Sequence, residues 1–428
     1  MKSFELQATR ENILNTFLED TIERDADVQR FIAILNSIED SCSIALDGQW
    51  GSGKTFFVKQ VKMILDAFND FVVPTNSEDV AQIKIRYQQL LQSNTLELQP
   101  QVSIYYDAWA NDNDEDPILS LVYEILRSVK TDFKFSKGID CLRIAGSIAE
   151  FFTGKKVNEI FEALKKDDPL SALKSEKDIH KLVEDFLDSV LAEKGNRLVI
   201  FIDELDRCKP SYAVQLLERI KHYFSNDRIT FVFSINTSEL QHTIKRYYGN
   251  DFDSGRYLDR FFDLRISLPP ANMRSYYGRM GLDGTWVYEN VCRAVIEANH
   301  FTLREISKFY RLAKVAAYKP THKNSYSVFG EEKSLDFCLL CIVPIMIGIK
   351  MRDQSRYNSF VQGKDGSPLY NVLKDNNIAI SMCNSLLSRN ETYGPKRAPQ
   401  EVSVLLKDKL KLVYEVSHTR FAGALRVV

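Results

Sequence analysis

Residues 43–68 read SIALDGQWGSGKTFFVKQVKMILDAF. The first five form a short apolar run that stops at a glycine, the pattern of a strand buried on both faces. The last thirteen place Val58, Val61, Ile64, Leu65 and Phe68 on one side of a helix. Between them Gly48, Gln49, Trp50, Gly51, Ser52, Gly53, Lys54 and Thr55 match G-x-x-x-x-G-K-[ST], and Phe56 completes the stretch. Glycines let successive amides turn toward one centre and hold an anion. The positive end of the helix that starts there strengthens the field. In that arrangement Lys54 reaches the β- and γ-phosphates of a nucleotide, and the Thr55 hydroxyl ligates Mg2+.

A phosphate loop needs a carboxylate from another strand to complete the metal shell. RLVIFID, from Arg197 to Asp203, is the strongest strand pattern in the chain and ends in Asp203 and Glu204. Ligands of open parallel sheets bind beyond the carboxyl ends of the strands. Asp203 is the candidate metal ligand, through water, and Glu204 the candidate for polarising the attacking water. Asp206 and Arg207 read either as a surface ion pair or as a contact with a neighbouring subunit or helix. FVFSIN puts Asn236 after the next strand, where a polar residue orients the lytic water, although asparagine there is also a turn former.

Phosphoryl transfer gains from a further cation near the γ-phosphate. Arg256 and Arg260 in SGRYLDRFFD are candidates, and Arg260 is expected on a helix from which it reaches an adjacent protomer, or else on a solvated helix face. Arg304 in TLREISKFY, near a helix start, is the candidate second sensor.

Working outward, residues 1–41 read as a helical lead, with Val28, Phe31, Ile32, Ile34 and Leu35 near one stripe. The segment 42–270 alternates strand and helix, which implies a parallel sheet covered on both faces. Its strands are expected at Ser43–Asp47, Val102–Trp109, Arg197–Asp203, within RITFVFSI and within DLRISLP. Helical insertions are expected at about 70–100 and 131–196, and residues 271–428 read as an all-α lid or C-terminal domain.

The charge balance of 56 Lys and Arg against 58 Asp and Glu removes net charge as an argument for nucleic-acid binding, though a local patch stays open. Seven cysteines, an odd number, build no disulfide framework and suit a reducing compartment. Cys338 and Cys341 form C-x-x-C inside an apolar run with no second ligand pair, which suits core residues rather than zinc. The run from Phe337 to Ile349 is broken by Pro344 and too short for a membrane span. The N-terminal residues carry no secretory pattern, so a cytoplasmic protein is expected. Asp112, Asp114, Glu115 and Asp116 read as a solvated loop favouring the next helix start. Trp50 and Trp109 are expected to pack beside the phosphate loop, with base stacking the other use. The segment EVSVLLKDKLKLVYEV reads as a lid or dimer helix, or as an interaction helix for a partner or nucleic acid.

Together these motifs resemble the KAP family of P-loop NTPases, a branch of the additional-strand catalytic-glutamate class related to AAA+ and STAND ATPases. The likeness runs over about residues 15–320, through GQWGSGKT, YYDAW, VIFIDELDRC, FVFSINTSEL, RYLDRFFDLRISLP and TLREISK. It implies ATP as the nucleotide, a phosphate-loop strand beside the sensor strand, and a helical lid after the core. Bacterial members are linked to exclusion of phage. Asp107 stands where members often carry asparagine, and Asn236 where they often carry aspartate. Residues 131–196 lack the membrane-spanning insert found in many members.

The expected function is Mg2+-dependent ATP hydrolysis coupled to conformational switching or assembly, in a homo-oligomer with an effector or partner protein, as the ATPase of a bacterial anti-phage system. The alternative is a nucleotide-gated binding module with negligible turnover that recruits an effector protein or DNA. A small-molecule kinase lacks any visible acceptor motif.

Overall fold

The computed structural model describes residues 7–73, 76–91, 98–114, 116–132, 183–188, 190–191, 195–224, 226–269, 276–278, 282, 287–317, 338–362 and 364–373. Two compact units emerge, one spanning Gln7–Asn272 and the other containing the helices beyond it.

The first unit is built on five parallel strands: β1 Cys42–Asp47, β2 Gln101–Asp107, β3 Arg197–Asp203, β4 Ile229–Ile235 and β5 Leu264–Ser267. Their spatial order is β2-β3-β4-β1-β5, so the phosphate-loop strand does lie beside the strand that leads to Asn236. Alternate side chains leave each strand on opposite faces, and both faces are covered. Ile104, Ile200, Ile202, Phe231 and Phe233 join one apolar cluster. Ile44, Leu46, Val199, Phe201 and Val232 join the other. Central strands apolar at nearly every position follow from that double coverage.

On the second face lie α1 Arg10–Glu19, α2 Asp25–Ser37, α3 Lys54–Ala67 and α4 Ser77–Leu91. The helical lead is therefore part of the sheet unit, because Phe17, Val28, Phe31, Ile32 and Leu35 share a core with β1. The excursion at 70–100 contributes α4, whose buried Tyr87 meets Phe68 edge to face at 5.5 Å. On the first face lie α5 Pro117–Asp132, α6 Pro210–Tyr223 and α7 Thr237–Tyr248, followed by the short α8 Ser254–Leu258. Most of the insertion expected at 131–196 lies outside the described residues.

Strand boundaries differ from expectation by one or two residues. β2 stops at Asp107 rather than Trp109. Its carboxylate accepts the Ala110 N–H at 2.9 Å and its carbonyl accepts from Asn111, which turns the chain out of the sheet. β5 keeps only four residues, an edge strand ending just before Pro269, which has no amide proton to continue a ladder.

The second unit is helical: α9 Val287–Ala298, α10 Leu303–Ala317, a π turn at Cys338–Ile342, α11 Val343–Arg352, α12 Gln354–Val361 and α13 Ser367–Leu373. A capping box starts α10, with the Thr302 N–H donating to Glu305 Oε2 at 2.8 Å and the Glu305 N–H returning to Thr302 Oγ1 at 3.5 Å. Pro344 sits in the first turn of α11, where a missing N–H costs nothing. The apolar run around it is core, and Cys341 is buried within it. Among the described residues no helix is long and apolar enough to cross a membrane. The C-terminal segment EVSVLLKDKLKLVYEV lies outside the described residues.

Candidate nucleotide-binding site

The site grows from the carboxyl end of the sheet. β1 ends at Asp47, and the Gly48 N–H donates to the Ile235 carbonyl at the end of β4 at 3.1 Å. Gly51 and Gly53 have φ of +79° and +90°, a region closed to most side chains, and they curl the loop into the start of α3. Lys54 is 8% exposed and donates to the carbonyls of Gly48 at 2.6 Å and Gln49 at 3.2 Å. Burial pushes its ammonium down, and the carboxylates of Asp206 and Asp203 oppose that push. Thr55 is the second residue of α3, half-buried, and Phe56 turns inward to the core. Gln49 is exposed. The Ser52 hydroxyl is buried without a partner among the described residues, a donor left over for an oxyanion.

Asp203, 1% exposed, is the last residue of β3. It stands opposite Ser234, while Asp47 stands opposite Ile235, so a single strand separates it from the phosphate loop. A hydroxyl on α3 and a buried carboxylate one strand away form an all-oxygen donor set. That set fits Mg2+, which needs only one or two protein oxygens beside those of phosphate and water.

Glu204 leaves the strand with φ of +60°, rare for a residue with a side chain, and opens a 3-10 turn at Leu205–Arg207. Its N–H donates to Asp203 Oδ1 at 3.1 Å. The turn brings Arg207 back onto the Glu204 carboxylate at 2.8 Å. Burial pushes the Glu204 carboxyl up, and the Arg207 guanidinium opposes that push. Arg207 also lies 5.9 Å from the Trp50 ring centre and 5.4 Å from that of Trp109.

Asp206 and Arg207 do not pair with each other, and of their two readings the contact with a neighbouring helix is the one seen, because a 3-10 turn points the two side chains different ways. Asp206 is buried, and its Oδ2 accepts the Trp50 indole N–H at 2.5 Å. Its backbone carbonyl accepts from the Thr243 hydroxyl of α7 at 3.3 Å. The two tryptophans, Trp50 and Trp109, are 46% and 51% exposed and flank Arg207, beside the phosphate loop as expected.

Asn236 follows β4 and caps α7, its Oδ1 accepting the Glu239 N–H at 3.4 Å. The turn-forming use is thus real, and its side-chain nitrogen carries no partner among the described residues. Arg260 is exposed and sits in the turn after α8, not on a helix, since α8 stops at Leu258. Its carbonyl accepts from Lys221. Arg256, within α8, is exposed too. Arg304 is the second residue of α10, in the other unit, and exposed. The acidic loop is more than solvated: Asp116 accepts the N–H groups of Ile118 and Leu119 and pairs with Arg219.

Arg24 escaped sequence reasoning because nothing local marks it. It is buried, and one guanidinium nitrogen donates to the carbonyls of Ser52 at 3.0 Å and Pro269 at 2.7 Å. It thereby ties the outer edge of the phosphate loop to the end of β5. Burial pushes it down to about 10.

The model of the KAP family P-loop domain matches residues 24–280, more than half of the chain. An uncharacterized protein of Methanocaldococcus jannaschii, MJ0182, is 37% identical over 83 residues, a stretch that spans 18% of this chain and 40% of that relative's length. The structure of the Aeropyrum pernix ORC2 protein in ADPNP–ADP complexes aligns over 96% of each chain, with 11% identity and a TM-score of 0.29, too loose a likeness to support an argument.

Proposed function

The chain belongs to the KAP family of P-loop NTPases, and on that premise we propose that it is a Mg2+-dependent ATPase whose turnover drives a conformational or assembly switch. The observation that carries this reading is the meeting of the loop at 48–55 with buried Asp203 and its neighbour Glu204 at one end of the sheet, one strand apart. Lys54 and the loop amides bind the phosphates. Thr55 and Asp203 hold the magnesium ion, which neutralises phosphate charge when bound. Glu204 orients and accepts a proton from the attacking water, and the Asn236 amide fixes that water's position. Arg260 is the proposed cation offered to an adjacent protomer of a homo-oligomer, and Arg304 the proposed second sensor; removing either lowers turnover.

Phosphate release by wild type and Glu204→Gln tests the reading. The variant is expected to lose at least 100-fold in turnover while still binding ATP. Turnover near zero in both proteins would sink it.

One observation favours a second reading. The Glu204 carboxylate is engaged by Arg207 at 2.8 Å, which competes with water activation and suits a nucleotide-gated module with negligible turnover that recruits an effector protein or DNA. Under the ATPase reading Arg207→Ala changes the phosphate-release rate severalfold; under the module reading it changes nothing measurable. The family resemblance extends the proposal to a bacterial anti-phage system, for which a loss of phage protection in Lys54→Ala cells is the check.

A further inference from the structure

Both oxygens of the Asp203 carboxylate are held by the chain itself. Oδ1 accepts the Glu204 N–H at 3.1 Å, and Oδ2 accepts the Tyr105 hydroxyl at 2.9 Å. Tyr105 lies on β2 opposite Phe201, two residues before Asp203 on β3, so it projects from the same face of the sheet as Asp203. Helix α3 packs on that face. Lys59 of α3 places its ammonium 4.5 Å from the centre of the Tyr105 ring. Thr55 and Lys59 are four residues apart and share one side of the helix. The helix side that carries the Thr55 hydroxyl is therefore the side that presses Lys59 onto the tyrosine holding Asp203.

We propose that Tyr105 is a positioning residue for the metal site: its hydroxyl fixes the rotation of the Asp203 carboxylate, and Lys59 fixes the ring, so that the remaining lone pairs of Asp203 face the ion at Thr55. A carboxylate has about four acceptor positions. Two are consumed here, and the two left over are thereby confined in direction. Outer partners of this kind are typically worth 10–100-fold in metal affinity. A hydrogen bond serving packing alone would stabilise the fold and leave the metal indifferent.

This inference rests on the reading of Asp203 as a metal-shell residue. The test titrates Mg2+ against a fluorescent ATP analogue bound to the full chain, for wild type, Tyr105→Phe and Lys59→Met, with thermal melts alongside. Wild type is expected to bind the analogue more tightly with Mg2+. In Tyr105→Phe the ratio of affinities with and without Mg2+ is expected to fall about tenfold, and in Lys59→Met by a smaller factor in the same direction. An unchanged ratio in Tyr105→Phe, beside a Mg2+-dependent wild type, overturns this inference and leaves the ATPase reading standing. A wild type indifferent to Mg2+ overturns both. If Tyr105→Phe does not fold, Lys59→Met decides, and an unchanged ratio there rejects the proposal.

Discussion

The two units treat polar side chains in opposite ways. The sheet unit buries Arg24, Asp25, Lys54, Asp203 and Asp206. Among the described residues of the helical unit, no charged side chain is buried, and beside its tyrosines and cysteines the buried polar side chain is Ser307, whose hydroxyl donates to the Leu303 carbonyl one turn back. Its core is otherwise apolar, with Val291, Ile296, Phe309, Ile345 and Ile347 packed together. Burying a charge is unfavourable unless it is paired or used. A region that keeps five such groups, four of them (Arg24, Lys54, Asp203 and Asp206) around one loop and one strand end, is shaped for a charged ligand. A region that keeps none of them is shaped for packing.

Lys54→Ala should separate the units most sharply. Loss of hydrogen bonds to a charged group, at about 1.5–3 kcal/mol, corresponds to nucleotide affinity falling roughly 10- to 150-fold. The melting temperature should hold or rise, because a buried ammonium is removed. Nucleotide titration with calorimetry of the same variant checks both halves.

The next effect is a pH dependence within the sheet unit. Asp25 is pushed up from 3.8 to about 6, first by burial and then by Asp20, with Arg86 opposing. The folded state thus binds this proton more tightly than the unfolded chain does. Its contribution to stability is present below about pH 4 and is lost as pH rises through about 6, amounting to at most ~3 kcal/mol. Asp25→Asn should flatten that slope in denaturant titrations run between pH 4 and 6.

In the helical unit the sensitive place is steric. A Cβ on Gly348 would lie 2.3 Å from Val295 Cγ1. Overpacking of about 1–3 kcal/mol outweighs the gain of about 1 kcal/mol from helix propensity. Gly348→Ala should lower the melting temperature and leave nucleotide affinity as it was. An affinity loss matching that of Lys54→Ala would erase the distinction between the units.

The smallest expected effect is a coupling. Trp50 and Asp206 share a hydrogen bond across 156 positions. A cycle of Trp50→Phe and Asp206→Asn should show an interaction of about 1 kcal/mol in nucleotide affinity. A zero value would make the bond incidental to the loop.

These contacts also show what could be read from the chain. Gly48–Thr55 and Asp203–Glu204 were legible because each packs its chemistry into neighbouring residues beside a strong periodic pattern. The sheet was legible for the same reason, since β3 and β4 are apolar nearly throughout. Asp206 and Arg207 stayed open between a surface pair and a contact with a neighbouring helix, because adjacency in sequence says nothing of a 3-10 turn entered at φ of +60°. Arg260 was placed on a helix because RYLDRFF holds neither Gly nor Pro, whereas the chain turns once α8 ends at Leu258. Arg24 and Tyr105 carried no signal at all, their partners lying 28, 245 and 98 residues away.

The order of letters alone determined the phosphate loop, the acid pair, the parallel α/β class and the helical character of the later chain. These depend on local backbone sterics and on the period of apolar residues, both of which act over one or two turns of chain. Only the tertiary structure decided that Trp50 meets Asp206, that Tyr105 meets Asp203, and that Arg24 meets the phosphate loop. Those pairings depend on which strand ends lie side by side, and strand order is fixed by the burial of two whole sheet faces together.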